Sequence, residues 1–139
     1  MLKRQTYQLN PQDVGQPKGI GINVLFNNGT SVFNQTFTTK DQVKSNLINY
    51  ILTDKGERFF NPSFGGNLRA SLFEPDVVFD SVATRLEEEI YSYIPNIIIK
   101  NIDIKLLSDQ NIVNMSIFYS INNQNDNLII NVSTPQLNQ

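Results

Sequence analysis

The 139-residue chain contains no cysteine and no histidine, and these two absences exclude most of the familiar catalytic chemistries. Without thiols there are no disulfides and no thiolate nucleophiles; without imidazole there is no Ser-His-Asp machinery, and most transition-metal sites lose their usual ligands. Carboxylate, lysine and tyrosine chemistry remain open. An excess of basic residues is also missing: 11 Lys and Arg stand against 13 Asp and Glu, a net charge of -2. A broad phosphate-neutralising face is therefore not expected, and neither is a nucleic-acid partner. The first residues, Met1 to Asp13, include Lys3 and Arg4 but no apolar core after them, so they do not read as a secretory signal. No run approaches the roughly 18 apolar residues of a membrane span. The expectation is a soluble, cytoplasmic protein with no membrane partner and no cofactor.

What is present reads as one domain between two polar ends. Residues 1–19 carry Pro11, Gly15, Pro17 and Gly19 without a periodic apolar face and are expected to form an extended arm. Residues 20–37 read as a β-hairpin. Ile20, Ile22, Val24 and Phe26 alternate, Asn28-Gly29 suits a tight primed turn, and Val32 to Phe37, with Phe33 among them, returns. A two-stranded ribbon is marginal in water, so Ile22, Val24, Phe26 and Phe33 are candidates for pairing with the main sheet or with another chain.

A helix is expected over residues 40–53. Thr39 and Gln42 have capping-box spacing; Val43, Leu47, Tyr50 and Ile51 form its core stripe, and Lys44, Ser45, Asn46 and Asn49 its wet side. A second helix is expected over 81–93, capped by Asp80, with Val82, Leu86, Ile90 and Tyr93 facing inward. Glu87, Glu88 and Glu89 diverge by about 100° from one to the next, so they cannot converge on one ion and read as a solvated acidic face. Pro95 ends this helix.

Residues 97–132 read as a three-strand meander. Ile98, Ile102, Ile104 and Leu106 share one parity; Val113, Met115, Ile117, Tyr119 and Ile121 form the second strand and Leu128, Ile130 and Val132 the third, with turns at 108–111 and 122–127. Residues 133–139 form a polar tail. The fold class is α+β: two main helices and a short helical turn on one face of a small, mainly antiparallel sheet, with an N-terminal arm and hairpin.

Between the helices lies the most informative stretch, Lys55 to Pro75. Gly56 stops the preceding helix, Pro62 and Gly65-Gly66 fix an irregular path, and Asn67 can cap a short turn from Leu68 to Phe73. Phe59, Phe60, Phe64, Leu72 and Phe73 would each gain about 1.5 to 3 kcal/mol by leaving water, so some are expected in the core and others against a partner. Arg58 is expected to pair near Glu57 or with Glu74, a surface contact worth under about 1 kcal/mol.

This stretch resembles the small baseplate wedge subunits of contractile-tailed phages, a family that includes a type VI secretion baseplate component and a bacterial stress anti-adaptor. The family pattern runs G-x-R-x-x-x-P-x-F-G-x-x-L-x-x-x-L-F-E. Gly56, Arg58, Pro62, Phe64, Gly65, Leu68, Leu72, Phe73 and Glu74 match it, and the likeness extends from about 44 to 132. Relatives often carry Glu-Pro-Arg where this chain has Ile94-Pro95-Asn96, a site of docking onto neighbouring wedge proteins; Pro95 alone matches.

The resemblance implies a structural, non-enzymatic subunit. Its partners would be other wedge proteins, the sheath and the tube or hub, with several copies per virion, assembled in the host cytoplasm. It also implies a loop surface of Gly56, Glu57, Arg58, Pro62, Phe64, Gly65, Leu72, Phe73 and Glu74. Strands like the hairpin join the wedge to the first sheath ring in that family, while burial within the domain is the other use of this hairpin. Two further readings stand beside it. One is a lysozyme-like hydrolase using Glu57 and Glu74, which requires carboxylates about 5 to 9.5 Å apart; the other is an anti-adaptor-type binding module.

Overall fold

The computed structural model describes residues 18–24, 34–72, 76, 78–107 and 112–133. Eight elements follow in order: β1 (Gly21–Ile22), β2 (Gln35–Thr36), α1 (Thr39–Leu52), α2 (Leu68–Leu72), α3 (Phe79–Tyr93), β3 (Ile97–Leu107), β4 (Ile112–Ile121) and β5 (Gln124–Ser133). The last three form an antiparallel sheet in the order β3-β4-β5, and β1 and β2 form a separate two-stranded ribbon. The α+β architecture is as the sequence indicates.

One apolar cluster joins helices and sheet. Leu47, Ile48, Tyr50 and Ile51 of α1, Leu68 and Leu72 of α2, and Val82, Leu86 and Ile90 of α3 pack against the inner face of the sheet. That face carries the expected alternation on two strands: Val113, Met115, Ile117, Tyr119 and Ile121, then Leu128, Ile130 and Val132, are all buried.

The first meander strand departs from its expected parity. A register shift between Ile99 and Asn101 leaves Lys100 without a partner on β4, the signature of a β-bulge. Ile97 and Ile99 therefore point inward ahead of the bulge, and Ile104 does so after it, while Ile98 and Leu106 are exposed. The β4-β5 connection is also tighter than expected. Ile121 pairs with Gln124, so the turn is Asn122-Asn123 alone, with φ 48° and 63°. Two positive values give the primed geometry whose twist suits a two-residue hairpin.

Helix starts differ by one or two residues from expectation. Thr38, not Thr39, caps α1: its Oγ1 accepts from the Asp41 N–H at 3.2 Å. Residue 41 stands at the third helical position, where a reciprocal partner belongs. Helix α3 begins at Phe79 with Val78 at its cap, so Asp80 lies inside the first turn, where a negative charge still favours the helix dipole. Ser45, placed on the wet side of α1 by sequence, is buried, and its hydroxyl donates to Asn23 Oδ1 at 3.4 Å. The β1-β2 ribbon thus leans on α1 rather than extending the main sheet, and Thr36 Oγ1 donates to Gln42 Oε1 as a second link.

Candidate interaction surface

After α1 the chain enters a loop whose own hydrogen bonds fix its shape. Gly56 takes φ 94°, which a Cβ would disfavour, and its N–H donates to the Pro62 carbonyl at 2.8 Å. Within this ring the Asn61 N–H reaches Arg58 O at 3.2 Å and the Phe64 N–H reaches Asn61 O at 3.1 Å. The tip consequently turns Phe59 and Phe60 outward. They are 90% and 97% exposed, with their rings edge to face at 5.2 Å.

Beneath the tip lies an aromatic base. Phe64 packs edge-on against Tyr50 at 5.1 Å and against Tyr93 at 5.5 Å, and Tyr50 and Tyr93 lie 5.1 Å apart. The Arg58 guanidinium sits 3.6 Å above the Phe64 ring, a cation–π contact worth about 0.5 to 1 kcal/mol at an exposed site. Of the two acidic partners expected for Arg58, Glu57 gives way to this stacking and Glu74 lies outside the described residues. Glu57 instead accepts the Asp54 N–H through Oε2 at 3.0 Å, because the turn brings that amide closer than the guanidinium.

The end of the loop closes onto α1. The Gly66 N–H donates to Tyr50 O at 2.8 Å and the Asn67 N–H to Thr53 O at 3.3 Å, satisfying carbonyls that the last helical turn leaves without intrahelical partners.

A charged network stands behind the aromatic base. Glu89 accepts from the Tyr50 hydroxyl at 3.0 Å, from Lys55 Nζ at 2.7 Å and from Arg85 Nη1 at 3.2 Å. Arg85 Nη2 continues to Gly66 O at 3.2 Å and Ser71 Oγ at 2.8 Å. Burial works to raise the Glu89 carboxyl, but the hydrogen bonds from Lys55 and Tyr50, with the charge of Arg85, outweigh it and hold its pKa below the ordinary value. Burial, reinforced by Glu89, pushes the Tyr50 hydroxyl well above its usual range. The expectation of a solvated acidic face thus fails at Glu89. Its signal in the sequence was the Arg85–Glu89 spacing of four on one helix face, together with a lysine just past the end of α1.

The other sequence-predicted positions scatter. Leu72 is buried, and so is Leu68; both belong to the base and not to the surface. Phe73 and Glu74 lie outside the described residues, so the Glu57/Glu74 pair has no described geometry. Ile94 is buried in the core and is not available to a docking partner, while Pro95 and Asn96 are exposed and Asn96 turns the chain with φ 69°. Ile22 is exposed on β1 and Val24 packs partly against the core; Phe26, Phe33 and the Asn28-Gly29 turn lie outside the described residues. An open cleft of about 450 Å³ runs between the end of α1, the start of α2 and the end of β5, with Asp54 and Arg69 among its walls. Glu57 does not line it. Among the described residues no group of acidic side chains is arranged to hold a metal ion, and no helix is long and apolar enough to cross a membrane.

No family model and no curated protein matches the chain. Solved structures do. A crystal structure from Geobacter sulfurreducens, of a protein named provisionally as a tail lysozyme, superposes with a TM-score of 0.65 at 15% identity, over 75% of this chain and 98% of that one. A chain in the cryo-EM structure of the anti-feeding prophage baseplate, sixfold symmetrised, superposes with a TM-score of 0.50 at 18% identity, over 78% of both chains. At such identities the likeness shows a shared fold over about three quarters of this chain.

Proposed function

We propose that this chain is a structural subunit of a contractile-tail baseplate, a wedge component that docks onto neighbouring baseplate proteins through the tip of the 56–67 loop and performs no bond-breaking of its own. The observation that carries the reading is the pair Phe59 and Phe60, almost fully exposed on a turn that is internally hydrogen-bonded and seated on a packed aromatic base. Two adjacent phenyl rings held in water cost free energy unless a partner covers them. The shared fold of a baseplate chain supports the same reading, as does the spacing of Gly56, Arg58, Pro62, Phe64 and Gly65. In this proposal residues 20–132 form the body, the arm and the β1-β2 ribbon are further contacts to sheath or wedge proteins, and exposed Pro95 and Asn96 sit at a secondary docking corner.

A hydrolase is the second reading, favoured by the name given to the Geobacter neighbour. Against it, Glu57 is an exposed loop residue committed to a backbone amide and stands outside the cleft, whereas such chemistry wants a carboxyl in an apolar pocket. A cell-wall turnover assay on wild type, Glu57→Gln and Glu74→Gln separates the two: wild-type activity lost in either variant overturns the structural reading.

The docking test pairs Phe59→Ser/Phe60→Ser with co-purification of wedge, sheath and tube proteins. Anchors of this type are worth about 2 kcal/mol or more each, so binding should fall about 30-fold for either ring alone and roughly 1,000-fold for both, while the thermal melt of the isolated chain stays within error. Unchanged binding would remove the loop tip from the interface.

A further inference from the structure

We infer that Glu89 is the positioning residue of the loop: through Lys55 and Arg85 it ties down both ends of the segment that presents Phe59 and Phe60. The inference rests on the docking reading above and goes beyond it by naming what sets the geometry of the tip. Lys55 stands at the start of the loop and Gly66 at its end. One carboxylate reaches both, directly by Lys55 Nζ at 2.7 Å, and by way of Arg85, whose Nη2 holds Gly66 O at 3.2 Å. The Ser71 hydroxyl, at 2.8 Å from the same nitrogen, brings α2 into the same network. Tyr50 Oη, from α1, takes the remaining acceptor position at 3.0 Å.

An ordinary helix-surface pair between residues four apart stabilises only its own helix. This one has donors from α1 and the loop on the carboxylate, and acceptors in the loop and α2 on the guanidinium. Its side chains are only 33% and 24% exposed, so solvent screens them less than a surface pair. Between the tied ends the loop carries its internal turn bonds, the Phe64 ring contacts and a long Tyr93 Oη to Ser63 O bond of 3.5 Å. Loss of these side-chain ties leaves the backbone bonds of Gly66 and Asn67 to α1 and the Gly56–Pro62 ring in place, so the loop stays anchored but its tip opens locally more often. Presentation of Phe59 and Phe60 as a fixed pair then becomes one state among several, and a partner must select it.

Limited chymotrypsin digestion of the full chain tests this without any partner. Phe59 and Phe60 are accessible, but cleavage requires the flanking backbone to leave its turn, so the rate at these bonds follows local opening. Glu89→Gln and Lys55→Met should raise that rate about tenfold while cleavage after Phe118, in the middle of β4, stays at the wild-type level. Lys55→Arg, which keeps the charge, should stay near wild type. Unchanged rates at Phe59 and Phe60 in both loosened variants would overturn the inference, as would an equal rise at Phe118, which would mark global loss of stability. Should Glu89→Gln fail to fold, Lys55→Met alone decides, since its side chain is 40% exposed. Loss of protection in Glu89→Gln together with normal wedge binding by Phe59→Ser/Phe60→Ser would instead sink the docking reading and leave the positioning role standing.

Discussion

At Gly65 the chain passes tightly against the end of α1. The residue holds φ 123°, and a Cβ added there would run into the Thr53 carbonyl oxygen, with the Thr53 carbonyl carbon at 3.0 Å. The atoms it would meet are all backbone, of Thr53 and Asp54, which leaves no flexible side chain to give way. Gly65→Ala should therefore destabilise the chain by about 2 kcal/mol or more, measured by denaturant titration; a midpoint unchanged within error would show that the loop has another route past α1. Gly65, like Arg58 and Phe64, was legible in the sequence as part of a spaced pattern. The partner of Arg58 was not. Charge complementarity nominates Glu57 or Glu74; the turn carries Arg58 over the Phe64 ring and away from Glu57, while Glu74 lies outside the described residues. Residues in irregular chain are positioned by hydrogen bonds that no periodicity announces.

Elements with a strict period were read well, and those without one were not. The alternation Val113, Met115, Ile117, Tyr119, Ile121 specifies β4 and its inner face outright, and a stripe at helical spacing specifies α3. Strand β3 offers Ile97, Ile98 and Ile99 in succession, so alternation is invisible at its start and the bulge at Lys100 leaves no mark in the apolar pattern. The structure supplies the missing constraint: Tyr91 of α3 accepts the Ile99 N–H at 3.1 Å and its hydroxyl donates to Ile99 O at 3.4 Å. Parity can be tested directly. Ile99→Ala should cost about 2 to 4 kcal/mol as a buried truncation, and Ile98→Ala under about 1 kcal/mol as an exposed one. Equal losses would place both side chains in the same environment and contradict the bulge. The cap of α1 was ambiguous for a similar reason, since Thr38 and Thr39 are chemically equal and it is the Asp41 N–H, donating to the Thr38 hydroxyl, that marks Thr38 as the cap.

The whole molecule couples its stability to pH at two distant ranges. The folded-state pKa of Glu89 lies below its unfolded value, so its contribution is present above the ordinary carboxylate range and is lost as pH falls through the depressed value. Tyr50 and Tyr119 are shifted the other way, each by burial first and then by a carboxylate, Glu89 and Asp126 respectively. Their contribution is full below the ordinary tyrosine value of about 10 and fades as pH rises above it. A melt series should thus show a plateau with an acid limb that Glu89→Gln flattens and an alkaline limb that Tyr119→Phe flattens. A Glu89→Gln curve parallel to wild type at low pH would mean that the carboxylate is equally comfortable unfolded.

The brace at Ile99 also bears on the edge of the sheet. A peptide laid along the outside of β3 would find the N–H and C=O of Ile99 already occupied by a tyrosine hydroxyl, with α3 packed nearby, so the ladder is interrupted on that margin. Lengthening of the sheet, by whatever chain, is disfavoured at that point of the β3 margin, where the helix side chain has already taken the place of a neighbouring strand.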